Sequence, residues 1–313
     1  MIRILDPGPF ATVQDLGRYG YQDRGVPVSG AMDPFSLRVG NVLVGNEAGA
    51  AGIEITWGGF EAEFGSNTVF CLTGAQADAQ LNGAAIPFWD PIAARTGDRV
   101  HIDAASVGAR MYLCIAGGLD VPIVMGSRST YVKAGFGGFE GRALQQGDTL
   151  MCGTPPYRPA RSIDPKFVPL WGEDVEVRCV FGPQAEAFTA EALEVFCSCA
   201  YSVTSRSDRM GIALEGAQLV HRTGPDILSD GIVTGAVQVP GDGRPIVLMA
   251  DRQTTGGYTK IATVIRTDIC RMAQVLPGYR IRFKAVDPLE ARWTALKEEY
   301  RFRRWVESVR SER

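Results

Sequence analysis

Histidine is scarce in this chain, with two in 313 residues, His101 and His221. A metal cage built from several imidazoles, or a Ser-His-Asp relay, is nearly excluded by supply. Cysteine occurs seven times, at positions 71, 114, 152, 179, 197, 199 and 270. The odd count argues against a fully paired disulfide framework, and reduced, buried thiols are expected. Cys197 and Cys199 stand two apart, which is not a usual zinc-ligand spacing. No metal site is predicted. No apolar stretch reaches the ~18 residues of a membrane span, and the opening MIRILDPGPF lacks the apolar run of a signal peptide. A cytoplasmic location is the expectation. The formal net charge is only -3, so neither nucleic acid nor an anionic membrane is called for as a partner. The GxxxxGK[ST] phosphate loop, a GxGxxG after a strand and HExxH are missing too, as is a Met-Lys-Met type biotin-attachment site. GGYTK shares letters with a phosphate loop at the wrong spacing.

What is present is a strand-rich pattern. Hydrophobic residues make up 45% and charged residues 21%, ordinary values for a globular chain of one large or two medium domains. The 37 glycines and 18 prolines lie in no low-complexity tract, so they punctuate many short elements. Between them run period-2 alternations, as in Ile53-Glu54-Ile55-Thr56-Trp57, Met111 to Ile115, Val175 to Cys179 and Ile281-Arg282-Phe283. Alternation of this kind marks half-buried strands. Glycine precedes such a run at Gly97-Asp98-Arg99-Val100, Gly147-Asp148-Thr149-Leu150 and Gly278-Tyr279-Arg280-Ile281, where a tight turn wants positive φ. Strands spaced this closely suggest barrels or sandwiches. Helices are few. Asp33-Pro34 forms an N-cap and first-turn pair, Gln184 to Phe196 is rich in Ala, Glu and Leu, and Pro288 opens a tail with Leu289, Trp293, Leu296 and Tyr300 at helical spacing. The stretch 153–170 holds five prolines and little periodicity, reading as a linker. The predicted domains are 1–160, 161–287 and a C-terminal helix at 288–313.

Three segments are too polar and glycine-rich for core, yet too dense in functional groups for spacers. One runs from Thr12 through Gln14, Asp15 and Arg18 to Ser29, Asp33 and Asn41. The second is Ser205-Arg206-Ser207-Asp208-Arg209-Met210-Gly211. The third runs from Met249 through Asp251, Arg252, Gln253, Thr254, Thr255, Gly256, Gly257 and Tyr258 to Lys260. The arginines and Lys260 suit a carboxylate or phosphate. Asp15, Asp33 and Asp208 are candidate bases or arginine partners. Gln253, Thr254 and Thr255 offer neutral hydrogen bonds, and Gly256-Gly257 admits close backbone approach. The blander alternative is that these charges pair with one another and staple loops. Arg206 and Arg209, three apart, point to opposite sides of an extended chain, so one is expected to reach ligand and the other to pair with Asp208 or Asp15. The three segments are expected to share one cleft. No catalytic residue is assigned.

The same segments carry a resemblance. TVQDLGRYGYQDRGVPVSGAMD, LTGAQADAQLNG, VFGPQAEAF, SRSDRMG, LSDGIVTGAVQVP and PIVLMADRQTTGGYTKIATV are similar to the hallmarks of the allophanate hydrolase subunit 2 family, a biotin-dependent carboxyltransferase-like group. They span about residues 9–285. The family also holds half of the carboxyltransferase domain of urea amidolyase, a sporulation kinase-inhibitor antagonist and the C subunit of 5-oxoprolinase. The resemblance implies a mainly β chain with two cyclophilin-like β-barrel domains. It implies a component of ATP-dependent 5-oxoprolinase, opening the amide substrate 5-oxo-L-proline to L-glutamate with a cyclophilin-like B subunit and an amidohydrolase-like A subunit. ATP, with or without Mg2+, would act at the level of the complex. The alternatives are a carboxyltransferase component acting on urea or a similar amide through biotin, and a non-enzymatic regulatory binding protein. Family members commonly carry Pro-Arg after GGY, where this chain has Thr259-Lys260. The charge is kept and the bidentate fork is lost.

Overall fold

The computed structural model describes residues 1–155 and 163–311, with side chains through residue 309. The expected linker falls partly on 156–162, outside the described residues. The chain divides into two compact units: Met1–Gly20 with Val28–Trp171, and Tyr21–Pro27 with Gly172–Arg313.

The first unit contains β1 (Ile2–Asp6), β2 (Phe10–Gln14), α1 (Pro34–Leu43), β3 (Gly52–Thr56), β4 (Phe60–Phe64), β5 (Thr68–Gln76), β6 (Ala79–Leu81), β7 (Ala84–Ala85), β8 (Pro91–Ala94), β9 (Arg99–Ile102), β10 (Val107–Ile115) and β11 (Thr149–Leu150). These form two antiparallel sheets, in the orders β11-β1-β4-β9-β6-β7 and β2-β3-β10-β5-β8. Both contribute to one core. Ile2, Ile4, Phe60, Phe64, Val100 and Ile102 of one sheet join Val13, Ile53, Ile55, Phe70, Leu72 and Met111 of the other, all essentially buried. The alternation at 53–57 and 111–115 lands on β3 and β10. Gly97 and Gly147 take φ of +90° and +92° just before β9 and β11, a conformation that costs any residue with a Cβ. In α1, Pro34 fills the first turn, and the Asp33 carboxylate accepts from the Ser36 amide at 3.0 Å and its hydroxyl at 2.6 Å. The helix lies close on β5 and β10. A Cβ on Gly40 would sit 2.8 Å from Cys114 Sγ.

The second unit contains β12 (Asp174–Phe181), α2 (Ala190–Ser198), β13 (Ala200–Val203), β14 (Gly211–Glu215), β15 (Asp226–Gly231), β16 (Ala236–Gln238), β17 (Ile246–Leu248), β18 (Thr255–Tyr258), β19 (Lys260–Val264), α3 (Ile269–Ala273), β20 (Arg280–Ala285) and α4 (Pro288–Ser311). Seven strands close a barrel in the order β12-β19-β16-β17-β14-β13-β20. Parallel pairing of β12 with β20, from Asp174 opposite Arg280 to Cys179 opposite Ala285, completes the ring. The buried rings of Phe196 and Phe283 stack at 4.4 Å, with Tyr201 edge-on to Phe283. β15 and β18 form a separate two-stranded arm.

The mainly β reading holds, with short helices and a long C-terminal one. The helix expected over Gln184 to Phe196 is broken. Ala185–Ala187 is a 3-10 turn, Phe188 is fully buried and bridges to His221, and Thr189 caps a new helix by accepting from the Ala192 amide. Burial of one aromatic ring outweighs the helical propensity of its neighbours. Among the described residues, no helix is long and apolar enough to cross a membrane.

Candidate functional site

In the first unit the polar segment folds as two loops pressed backbone to backbone. The Arg18 amide donates to Val28 O at 2.8 Å, and the Ala31 amide to Asp15 O at 2.9 Å. Gly17 and Gly30, at φ of +91° and +85°, permit this approach. A Cβ on Gly30 would meet Gly17 N at 2.7 Å. Asp15 is the staple. Its carboxylate accepts from the Gly17 amide (2.8 Å), the Arg128 amide (2.6 Å), the Ser127 hydroxyl (2.6 Å) and the Ser129 hydroxyl. Backbone amides and hydroxyls hold Asp15, so the expectation that it partners Arg206 or Arg209 is corrected.

Arg18 is buried, with 1% exposure. Its Nη2 donates to Ser129 O, and its guanidinium lies 4.9 Å from the centroid of the Phe136 ring. Gly137 must be small here, since a Cβ would lie 2.7 Å from Arg18 Nη2. Gln14 donates to Thr12 Oγ1 and Thr130 O, while its buried Oε1 has no hydrogen-bond partner among the described residues. Ser29 adopts φ of +55°, and its buried Oγ is likewise without a partner. Backbone strain and unsatisfied buried polar atoms cluster at functional sites, which keeps Gln14, at the end of β2, and Ser29 as candidates. Asp33 is spent on the α1 cap. Its backbone amide donates to Tyr112 OH at 2.8 Å, and that hydroxyl donates to buried Glu54 at 2.7 Å. Burial, followed by the charges of Glu54 and Asp33, pushes the Tyr112 phenol well above its ordinary pKa. Asn41 joins Ala50 O and Asn46 at the end of α1, a structural task.

In the second unit, SRSDRMG and the loop after β17 are clamped together. Arg209 Nε donates to Asp251 Oδ2 at 2.8 Å and Nη2 to Oδ1 at 3.1 Å, both side chains under 10% exposed. Asp208 instead accepts from the Met210 and Gly211 amides, closing its own turn. The arginine partner is therefore Asp251, and neither Asp208 nor Asp15 plays that part. Arg206 is exposed. Arg252, also buried, donates to Ile232 O and Met249 O.

A further group of polar side chains lies where β16 meets β19. The register shifts between Val237 and Gln238, so that Val237 faces Ala262 and Gln238 faces Lys260, skipping Ile261. A bulge re-aims side chains, and here it sets two polar residues opposite each other with 3% and 4% exposure. Lys260 Nζ donates to Asp230 Oδ2 at 2.8 Å. That hydrogen bond, with help from the Gly231 amide, holds the Asp230 carboxyl below its usual range. Gln184 Oε1 accepts from the Lys260 amide. Gln238 Nε2 is buried with no hydrogen-bond partner among the described residues. The β15–β18 arm passes over this pair. A Cβ on Gly256 would come 2.8 Å from Gln238 Nε2, with Gln253 Nε2 at 3.4 Å. Gln253 is exposed, Thr254 O accepts from the Ile232 amide, and Thr255 and Tyr258 stand on the arm opposite Gly231 and Asp226. Thr259 is buried, and its hydroxyl lies 3.0 Å from His221 Nε2. Burial lowers the His221 pKa.

The second and third polar segments thus belong to one unit, while the singled-out residues of the first, from Thr12 to Arg18 and from Ser29 to Asn41, belong to the other, with Tyr21–Pro27 between them assigned to the second unit. Gln238, Asp230 and Gln184 were not singled out by sequence reasoning. Their signal was their place inside the family-like motifs VFGPQAEAF and LSDGIVTGAVQVP and, for Gln238, a glutamine inside an apolar run, AVQVP.

Residues 24–285 match the family described as the carboxyltransferase domain, subdomain A and B. The chain belongs to this family. The C subunit of 5-oxoprolinase from Escherichia coli is 41% identical over 283 residues, covering 90% of each chain. Its namesake from Haemophilus influenzae is 39% identical over 300 residues, 96% of each. The crystal structure of K. lactis urea amidolyase superposes with a TM-score of 0.90 at 30% identity, covering 93% of this chain. This carboxyltransferase-family chain spans only 19% of that much longer protein.

Proposed function

We propose that this chain is one component of a cytoplasmic ATP-dependent 5-oxoprolinase. In this reading it works with a cyclophilin-like partner and an amidohydrolase-like partner to open 5-oxo-L-proline to L-glutamate. The supporting observation is the alignment with the E. coli 5-oxoprolinase C subunit, in which 283 residues make up 90% of both chains.

The chemical difficulty is a stable lactam. ATP, as co-substrate of the complex, would phosphorylate the amide oxygen and so activate the carbonyl carbon to water; the ring C–N bond would then break as its nitrogen takes a proton, and hydrolysis of the resulting acyl phosphate would release phosphate and L-glutamate. What this chain contributes is polar preorganisation at the Gln238–Lys260 pair. Lys260 Nζ has three N–H donors, of which one goes to Asp230. The others suit the carboxylate or lactam oxygen of the substrate, with Gln238 Nε2 and the Gly256-Gly257 backbone as neutral donors. Gln253, Thr254 and Thr255 line the loop leading onto the arm. A point-charge ammonium where relatives carry a guanidinium fits one oxygen rather than a planar pair. In the first unit Gln14 Oε1 and Ser29 Oγ are the atoms left for a ligand. The residues held by Asp15 and by the α1 cap are scaffold.

A second reading is a carboxyltransferase component acting on urea or a related amide through biotin carried elsewhere, and it is favoured by the 0.90 TM-score with urea amidolyase. Side-by-side ATP turnover of the purified complex with 5-oxoproline and with urea separates the two. Turnover with 5-oxoproline alone supports the first. Turnover dependent on urea and a biotin carrier refutes it.

A further inference from the structure

Among the described residues, the C-terminal helix leaves an apolar face exposed, and its flanking charges specify what covers it. One side of α4 is anchored, with Phe302 and Trp305 buried at 7% and 8% exposure. The opposite side presents Leu289, Trp293, Leu296 and Tyr300 at 66%, 62%, 50% and 63% exposure. Their spacing of four, three and four is the seam of a two-stranded coiled coil. Four large apolar side chains in one line are an interaction surface rather than scattered exposure. The helix lies beyond the family-model match, which ends at residue 285.

The stripe is symmetric about its own midpoint, which lies between Trp293 and Leu296 and equally between Leu289 and Tyr300. An antiparallel copy of the helix therefore places Trp293 on Leu296 and Leu289 on Tyr300 simultaneously, about one two-fold axis. In that arrangement each flank of the stripe faces its own counterpart. One flank carries Glu290 and Lys297, the other Arg292 and Glu299. Each flank thus sets an acid against a base twice over, Glu290 by Lys297 of the second copy and Arg292 by Glu299 of the second copy. In the parallel arrangement the usual flank contact, five residues on, would set Arg292 against Lys297, a like pair. Within its own chain Glu299 already accepts from Arg303 at 3.1 Å and pairs with Arg266.

We propose that α4 is a self-association element, pairing antiparallel with α4 of a second copy of this chain through Leu289, Trp293, Leu296 and Tyr300. The inference does not depend on the 5-oxoprolinase reading, and its test requires no activity. Sedimentation velocity of the full chain, from about 1 µM to about 100 µM to bracket ordinary association, should show a monomer–dimer equilibrium. Trp293→Glu should abolish it. Glu290→Lys sets Lys against Lys297 at both symmetry-related positions and should weaken the dimer by about tenfold. Adding Lys297→Glu should restore it to within about threefold, because the pair is then reversed rather than broken. Circular dichroism of each variant checks that the helix remains. A chain that is monomeric throughout overturns the proposal. So does a dimer indifferent to Trp293→Glu, or a double reversal no tighter than the single one. If the wild-type chain stays monomeric but a co-purified partner protein protects α4 from hydrogen exchange, the face belongs to that partner, and the proposal fails.

Discussion

The clamp between Arg209 and Asp251 can be perturbed from either side, and the two directions differ in size. Both side chains are under 10% exposed, with two N–H···O contacts at 2.8 and 3.1 Å. Asp251→Ala leaves a buried guanidinium without its carboxylate. Breaking a buried pair in this way costs about 3–5 kcal/mol. Asp251→Asn keeps a neutral acceptor in place and forfeits only the charge-assisted part, about 1.5–3 kcal/mol. Replacing both residues together by Met and Leu removes the desolvation cost as well as the attraction, so the double variant should be markedly more stable than Asp251→Ala. A chain of two units need not unfold in one step. The measurement is therefore local: hydrogen exchange in peptides covering 205–215 and 247–256, where the Met249 and Asp251 amides bond Met210 O and Arg209 O. Protection of both peptides should fall together in Asp251→Ala and recover in the double variant. Loss of less than about 1 kcal/mol in Asp251→Ala, set against the ~3–5 kcal/mol of a broken buried pair, or loss in one peptide alone, would show that the clamp does not join the two loops energetically.

Three further outcomes are expected. Lys260→Met should lower kcat/KM of the reconstituted complex by about 10- to 150-fold, the worth of a charge-assisted hydrogen bond of ~1.5–3 kcal/mol. Wild-type kinetics in Lys260→Met would move the site elsewhere. Gly256→Ala should destabilise the arm by about 1–3 kcal/mol, since its Cβ would lie 2.6 Å from Ile232 Cδ1 and 2.8 Å from Gln238 Nε2; faster exchange at 226–231 and 255–258 is the readout. Burial lowers the His221 pKa, so the unfolded chain binds that proton more tightly. The second unit should hold this stability above the unfolded pKa of about 6.5 and lose it as pH falls below that value. His221→Gln should flatten the dependence of exchange protection on pH in that window.

The sequence shows strands more readily than it shows partners. Alternation at 53–57 and 111–115 became β3 and β10, but both strands are buried on both faces: the alternate positions hold Glu54 and Tyr112, which bond each other in place of water, so the period marked a strand and not a wet face. The glycines before β9, β11 and β20 were legible for an equally local reason, since a positive φ at Gly97, Gly147 and Gly278 is a demand on one residue. Pairing is different. Asp251 lies 42 residues from Arg209, and Ser129 lies 114 from Asp15. No local period encodes either distance. Nearby acids were therefore natural partners for the arginines, but Asp208 turned inward to cap its own loop, as a short side chain two residues before a free amide tends to do. The break at Phe188 has the same origin, because His221, which takes the ring, lies far along the chain, beyond α2, β13 and β14.

Gln238 marks where such reasoning runs out for the site itself. On a regular ladder a glutamine between Val237 and Val239 would alternate with them and require only one wet face. The shift that skips Ile261 is a property of two strands together, and only it turns Gln238 toward Lys260. The polar pair is therefore a product of register. A composition that shows Lys260 as a cation cannot show that its neighbour across the sheet is an amide with a donor to spare. This separates the staples from the candidate ligand atoms: Asp15, Asp33, Asn41, Asp208 and Arg209 have their polar atoms engaged by the fold. Gln14 Oε1, Ser29 Oγ and Gln238 Nε2 remain buried without hydrogen bonds among the described residues, and a buried polar atom left open costs free energy that only a ligand, a water or a function returns.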